Sequence, residues 1–289
     1  MHLMSPRRRP SLILAALVAA TVFLMPASPV VAGVRRAAND ASRVSKSGDE
    51  LAKAGSAKFR GTTSSAGAGN GGTVTFDGSL DFKSRTGEYS VDAAAIGLQG
   101  TGKVRTIVAG GVLYLSLDAL AGADPSSSPD LAGKKWLKLD PKVFGGGGQI
   151  GQSDPNGSLD ALRGAKGSAK RVGSENVRGT RTTRYRVTID ADQAVNRAPE
   201  ARRDEVRNSV GALGSKTIPA DVWIDSKGRL RKVRLRVVAS STTSKGSVSF
   251  EYFDLGAQVN VDAPPANEVV DFQDLLGGST TGPSGGAGG

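Results

Sequence analysis

Two carboxylates, Asp221 and Asp225, flank Trp223, and paired acids are what glycoside hydrolysis requires. Asp225, however, opens the turn Asp225-Ser226-Lys227-Gly228, and Asp221 follows Pro219-Ala220 at a strand start, so both read as structural. Other chemistry is excluded more firmly. The chain has no cysteine and a single histidine, His2. That removes disulfides, thiolate zinc sites, iron–sulfur clusters and Cys nucleophiles, and it leaves no basis for a Ser/His/Asp triad or a His-ligated metal. Two G-x-G-x-x-G matches, Gly67-Gly69-Gly72 and Gly146-Gly148-Gly151, do not open a helix after a strand, so they carry no dinucleotide reading. There is no G-x-x-x-x-G-K-[ST] phosphate loop and no S-x-x-K of the penicillin-binding type. Asn156-Gly157-Ser158 fits a glycosylation sequon but reads as the turn before a helix. No catalytic residue, metal or cofactor is expected, and the chain reads as a non-enzyme.

What remains is a scaffold. Residues 1–32 have the order of a secretory signal: Arg7-Arg8-Arg9, an apolar run from Leu12 to Met25, then Val30-Val31-Ala32 before Gly33. An uncleaved anchor is the other reading of this segment. Cleavage would remove three arginines and the histidine, lowering the formal charge from +11 to +8. Residues 33–58 form a segment of helix formers with a thin apolar stripe of Val44, Leu51 and Ala54. Residues 59–276 form the main domain. The tail, 277–289, holds only Gly, Ser, Thr, Pro and Ala and reads as disordered.

Within the main domain the dominant period is two, the mark of half-buried antiparallel strands. Val74, Phe76, Leu80 and Phe82 share one parity. Leu113, Leu115 and Leu117 share another, as do Tyr89 and Val91, and Trp136 alternates with Lys135 and Lys138. Tyr185, Val187 and Ile189 alternate with arginine and threonine, Val233 and Leu235 with Arg234 and Arg236, and Val248, Phe250 and Tyr252 with Ser249 and Glu251. Val259 and Val261 close the series. Asp225–Gly228 predicts a hairpin, and Asp77-Gly78 a bulge. Two helices interrupt the strands: Ser158–Arg163, and Pro199–Leu213 with Val206, Val210 and Leu213 on one stripe and Arg202, Arg203, Glu205 and Arg207 facing water. The fold class is α+β with one large antiparallel sheet.

The basic residues Lys134, Lys135, Lys138, Arg229, Arg231, Lys232, Arg234 and Arg236 fall on polar strand faces, where they solubilise the sheet. Nucleic acid is not an expected partner, because no aromatic-rich basic motif is present. An attraction to an anionic membrane surface or cell-wall polymer is physically reasonable. The protein is expected to be a monomer.

Several stretches resemble the actinobacterial LppX/LprG-type (LppX_LprAFG) lipoprotein family. They are Gly111–Leu117 with Gly133–Asp140, Val177–Thr180 leading into Thr183–Val187, Pro219–Asp225 with Gly228–Val233, and Pro264-Pro265 through Phe272. The resemblance spans roughly residues 50–276. It implies a LolA-like fold: a strongly curled antiparallel sheet, a half-barrel, with helices in its concave face and an apolar cavity for the acyl chains of lipid or glycolipid. Carried onto this chain, it makes Val74, Phe76, Leu80, Phe82, Leu113, Leu115, Leu117, Val233 and Leu235 candidates for the sheet side of that cavity. Val206, Val210 and Leu213 face them from the helix. The implied role is a noncatalytic carrier or binder of a hydrophobic molecule outside the cytoplasm. An envelope sensor or protein-interaction module of the same fold, or a wall-associated structural protein, are the other readings. Relatives carry a lipobox cysteine and this chain has none, so it is expected to be exported without a thioether lipid.

Overall fold

The computed structural model describes residues 29–66, 72–96, 102–110, 112–120, 131, 133–139, 155–211, 213, 215–238 and 245–277. Residues 1–28 of the expected signal segment, the Gly-rich stretch 145–151 and residues 278–289 lie outside them.

Among the described residues, twelve strands form one open sheet: β1 (Ser56–Ala66), β2 (Gly72–Asp81), β3 (Thr86–Asp92), β4 (Lys103–Ala109), β5 (Val112–Ser116), β6 (Trp136–Leu139), β7 (Ala165–Val177), β8 (Thr180–Asp190), β9 (Thr217–Asp225), β10 (Leu230–Val238), β11 (Lys245–Phe253) and β12 (Val269–Asp271). Their order is β12-β6-β5-β4-β3-β2-β1-β11-β10-β9-β8-β7. Two antiparallel meanders, β1–β6 and β7–β11, are thus joined by pairing of β1 with β11, and β7 and β12 form the two edges. Only β12, which lies parallel to β6, departs from antiparallel pairing. Among the described residues five α-helices accompany the sheet: α1 (Pro29–Ala52), α2 (Pro155–Ala161), α3 (Ala191–Arg197), α4 (Arg203–Gly211) and α5 (Phe272–Gly277). The class is the mixed α+β architecture with a large antiparallel sheet.

The alternation decides which face is buried. Phe76 and Leu80 on β2, Tyr89 and Val91 on β3, Val104 and Val108 on β4, Val233 and Leu235 on β10 and Phe250 and Tyr252 on β11 all lie in one cluster with the buried side chains of α1–α4. The α1 stripe, Ala41, Val44 and Leu51, is completed by two small buried residues, Ser47 and Gly48. A Cβ on Gly48 would lie 3.2 Å from the Leu159 carbonyl of α2, so the small residue sets how closely the two helices approach. Gly55, at φ 83°, ends the helical segment and Ser56 begins β1.

Several expectations are corrected. The helical segment stops at Ala52, and Ser56–Lys58 belong to β1, where Ala57, Phe59 and Gly61 are buried between exposed Lys58 and Arg60. Asp77-Gly78 is not a bulge, because Gly78 pairs in unbroken register with Phe59 and Tyr89. Its lack of a side chain is required by close packing: a Cβ there would sit 2.7 Å from Tyr89 Cβ and 2.8 Å from Phe59 Cε1. Val259 and Val261 are not in a strand. Their segment lies on the outer side of β4–β6, packing with Ile107, Ala109, Tyr114 and Trp136 in a second, smaller cluster. The helix expected over Pro199–Leu213 is a 3-10 turn at Glu200–Arg202 followed by α4, with Leu213 just past its end. Asn156 lies inside α2 and is buried, so the sequon is not presented on the surface. The Asp225–Gly228 hairpin forms as expected, with Gly228 N–H donating to the Asp225 carbonyl at 3.0 Å.

The β10 strand shows how the chain keeps its core residues inward. Leu230 and Val233 are both fully buried although their parities differ. A register shift between Leu230 and Lys232 absorbs the extra residue, Arg231. Its guanidinium turns to Asp225, with Nε 3.1 Å from Oδ2. Asp225 also accepts from the Lys227 and Arg229 backbone N–H groups and from Arg229 Nε. Burial alone would raise its pKa, but the bonds from Arg229 and Arg231 outweigh this and hold it below the ordinary carboxylate range. Asp221 is equally buried and is ringed by Arg184, Arg186 and Arg236 at 3.1–3.4 Å. Both acids are structural staples on the outer face, as their strand-start and turn positions imply, and both are buried.

Candidate functional site

The inner sheet face is the largest continuous apolar surface among the described residues. Its centre is aromatic. Phe59, Phe76, Tyr89 and Phe250, from four neighbouring strands, have ring centroids 5.2–6.4 Å apart, mostly edge-on or tilted. Such pairs contribute about 0.5–1.5 kcal/mol each beyond their burial. A Cβ on Gly61 would lie 2.8 Å from Phe76 Cδ2, so glycine on β1 makes room for that ring. Beside the cluster, Tyr252 hydroxyl meets Ser158 Oγ at 3.0 Å and donates to the Pro155 carbonyl at 3.1 Å, tying β11 to the start of α2.

The structure brings all twelve sequence-predicted residues into this one cluster. Phe76, Leu80, Leu113, Leu117, Val206, Val210, Leu213, Val233 and Leu235 are buried, whereas Val74, Phe82 and Leu115 are half-buried and packed against the rest. The sheet-side residues among the twelve fall on two halves of the sheet. Val233 and Leu235 lie on the half of the sheet against which α1 packs, over β7–β10. Val74, Phe82, Leu113, Leu115 and Leu117 belong to the β2–β6 half, which packs with two 3-10 turns, Ala93–Ile96 and Leu117–Leu120, and with α5. Phe59 is the central residue that sequence reasoning missed. The alternation Ala57-Phe59-Gly61 was the available signal, hidden by a helical reading carried to Lys58.

A charged clasp crosses from the sheet to the helices. Arg85, in the β2–β3 turn at φ 57°, pairs with Asp160 of α2 and Glu205 of α4. Arg202 also bonds Asp160, and Arg163 joins Asp160 to Asp49 of α1. Arg202 and Glu205 therefore do not face water as expected; they close the α2–α4 end over the β2–β3 turn. Asp160 is itself buried, and its charge is matched by three guanidinium groups.

A separate groove of about 440 Å³ runs between α3 and α4. Val195 and Val210 share its walls with Asp192, Asn196, Arg207 and Lys216. Of the twelve expected residues only Val210 borders it, so it is not the expected apolar cavity.

Lysines clamp the far edge. Lys135 pairs with Glu268, Lys138 with Asp271, and Lys134 Nζ donates to the Asn267 carbonyl, holding β12 against β6. Asp271 lies below the ordinary carboxylate range, first through the Lys138 ammonium and then through the Gln273 backbone N–H. Among the described residues no group of three or more His, Cys, Asp or Glu is placed to hold a metal ion. None of the described helices is long and apolar enough to cross a membrane.

The chain is 27% identical over 183 residues to an uncharacterized 31.2 kDa Streptomyces griseus protein encoded in the rplA-rplJ intergenic region, covering 58% of this chain and 59% of that protein. It is 28% identical over 156 residues to a Streptomyces coelicolor protein named as a lipoprotein, covering 50% of this chain and 45% of that one. The chain thus spans about half the length of these curated relatives. Among solved structures, Mycobacterium tuberculosis lipoprotein LppX matches 77% of this chain and 97% of its own at 16% identity and TM-score 0.47. LprF from Mycobacterium bovis matches 78% and 97% at 13% identity and TM-score 0.45. Residues 153–261, which carry α2, α3, α4, β7–β11 and the segment over β4–β6, match the family described as LppX_LprAFG lipoprotein, and over that stretch the resemblance read from the sequence is shown.

Proposed function

We propose that the protein is an exported, noncatalytic binder or carrier of a molecule with long acyl chains, lipid or glycolipid, held against the inner sheet face. The observation that carries this reading is the single apolar cluster joining all twelve expected residues, with half-buried Val74, Phe82 and Leu115 on the half of the sheet that α1 does not cover. An acyl chain gains about 0.8 kcal/mol for each methylene it buries, so an apolar face needs no polar specificity to hold one. The family match over residues 153–261 supports the same reading through the resemblance that implies an acyl-chain cavity. The twelve residues are the proposed contacts, and no side chain is proposed to act in catalysis.

The test is uptake of a fluorescent long-chain fatty acid by the purified protein, with mass spectrometry of an organic extract of the same preparation. Saturable uptake, displaced by unlabelled fatty acid, is the expected result. Leu115→Trp, which fills space at a half-buried position, should lower uptake at least tenfold while the melting temperature holds. A lipid-free extract together with no saturable uptake would sink the proposal.

A further inference from the structure

The outer face of the sheet carries its charge unevenly. Over β1–β4 opposite charges alternate and pair, with Arg60 on Asp77 and Arg105 on Glu88. Over β7–β10 acids also pair, Glu175 with Arg184 and Asp190 with Lys166, but the cations outnumber them. Direct cross-strand register runs Lys170–Arg186–Asp221–Arg234, and Arg236 joins the row by pairing with Asp221. Three guanidinium groups, Arg184, Arg186 and Arg236, thus pair with Asp221, which is buried beneath them, and Lys170 and Arg234 extend the row to either side. Arg186 and Arg236 keep about half of their side-chain surface exposed, at 53% and 48%. Lys170 and Arg234 are exposed, and among the described residues neither has a carboxylate partner. The same row continues across the sheet as Ser249, Thr62 and Thr75, a strip of hydroxyls.

We infer that this outer face of β7–β10 docks onto an anionic phospholipid bilayer. The charge complementarity is specific in form as well as sign. Guanidinium groups meet phosphate oxygens through two parallel N–H bonds, and neighbouring hydroxyls supply further headgroup hydrogen bonds. The cations stand on β7, β8 and β10 of one sheet face, so they form an array several strands wide, and such an array engages a membrane surface more fully than it engages a single polymer strand. The buried Asp221 positions Arg186 and Arg236 without cancelling the surplus. Docking of this kind does not depend on acyl binding by the opposite face.

The test is co-sedimentation with vesicles of phosphatidylcholine alone and of phosphatidylcholine containing phosphatidylglycerol. Binding is expected to the anionic vesicles only, with release in about 1 M salt, where the screening length falls to about 3 Å. The variant Lys170→Gln/Arg186→Gln/Arg234→Gln leaves Arg184 and Arg236 on Asp221 and should lower vesicle affinity about 100-fold. Lys170→Glu, a single change on an edge strand, should lower it about 30-fold. Lys46→Gln/Lys83→Gln/Arg203→Gln, which removes the same charge from α1, the β2–β3 turn and α4, should retain most of the binding. Equal loss in that control, or equal affinity for neutral and anionic vesicles, would overturn the proposal. So would binding to soluble polyphosphate with none to the anionic vesicles, which would assign the patch to a polymer. Fatty-acid uptake measured on the same variants should be unchanged, so failure of docking and failure of acyl binding are read separately.

Discussion

At the scale of single residues, charge on this protein is held in place by partners that the sequence does not reveal. Trp223 is buried on the outer face with the Arg184 guanidinium 5.0 Å and the Lys232 ammonium 5.3 Å from its ring. Its indole N–H donates to Glu175 Oε2 at 2.8 Å, and Arg184 Nη1 bonds the other oxygen at 3.0 Å. These two contacts, the indole first, hold the Glu175 carboxyl below its ordinary range. A folded-state value that is depressed means full stabilisation above the unfolded value and loss as pH falls through the folded one. In a Trp136→Phe variant, Trp223 emission should therefore stay flat through the ordinary glutamate range near about pH 4.3 and change only at lower pH. Glu175→Gln should abolish that step, and a step left intact in Glu175→Gln would refute the assignment. From the sequence, Asp221, Trp223 and Asp225 were legible as strand and turn residues. That they are buried was not, because burial came from Arg184, Arg186, Arg229, Arg231 and Arg236 converging on them, and spacing along one chain does not report convergence between strands.

Elements were legible where one face packs and the other meets water. The alternations on β2, β3, β5, β8, β10 and β11 gave their strands directly. β7 was missed because register shifts at Lys166/Lys170 and Arg171/Gly173 break its period and because as an edge strand it is mostly polar. Such irregular, basic edges discourage pairing with other chains. β12 was missed as a strand because it has only three residues, and its place is fixed by the Lys135 and Lys138 ion pairs more than by its own pattern. Val259 and Val261 have the right parity but no ladder: their apolar side chains cover Ile107, Ala109 and Trp136 on the outer face of β4–β6. That segment makes β4 buried on both faces, with Val104 and Val108 inward and Ile107 and Ala109 outward. Placing a charge within it should release it. Val261→Asp is expected to cost about 2 kcal/mol. In a Trp223→Phe background it should shift Trp136 emission to the red and speed amide exchange in β4–β6. Unchanged Trp136 emission would show that the segment does not cover the sheet.

The sheet has two unlike faces, one apolar and covered in part by helices, the other largely charged and covered over β4–β6 by the 259–261 segment. Pairing of β1 with β11 makes the faces continuous, since it welds two meanders into one sheet. No local pattern in either meander specifies that weld; it follows from the long β1 and β11 strands, which pair over nine residue positions from Lys58 to Ala66. The twelve apolar candidates could be named from parity, yet parity alone does not separate core from binding wall. Burial differs among them: Val74, Phe82 and Leu115 remain half-buried while Val233 and Leu235 are sealed. A ligand that fills the partly covered half must bind the folded chain and not the unfolded one, so it stabilises by mass action. At about 100 times its dissociation constant a fatty acid adds about 2.7 kcal/mol. For a domain of this size each kcal/mol raises the melting temperature by about 2–4 °C, so a rise of about 5–10 °C is expected with a long-chain fatty acid. A short-chain acid of the same headgroup buries too few methylenes and should give no rise. Equal shifts for the two chain lengths would place the interaction on the charged outer face instead, because only the carboxylate is common to both.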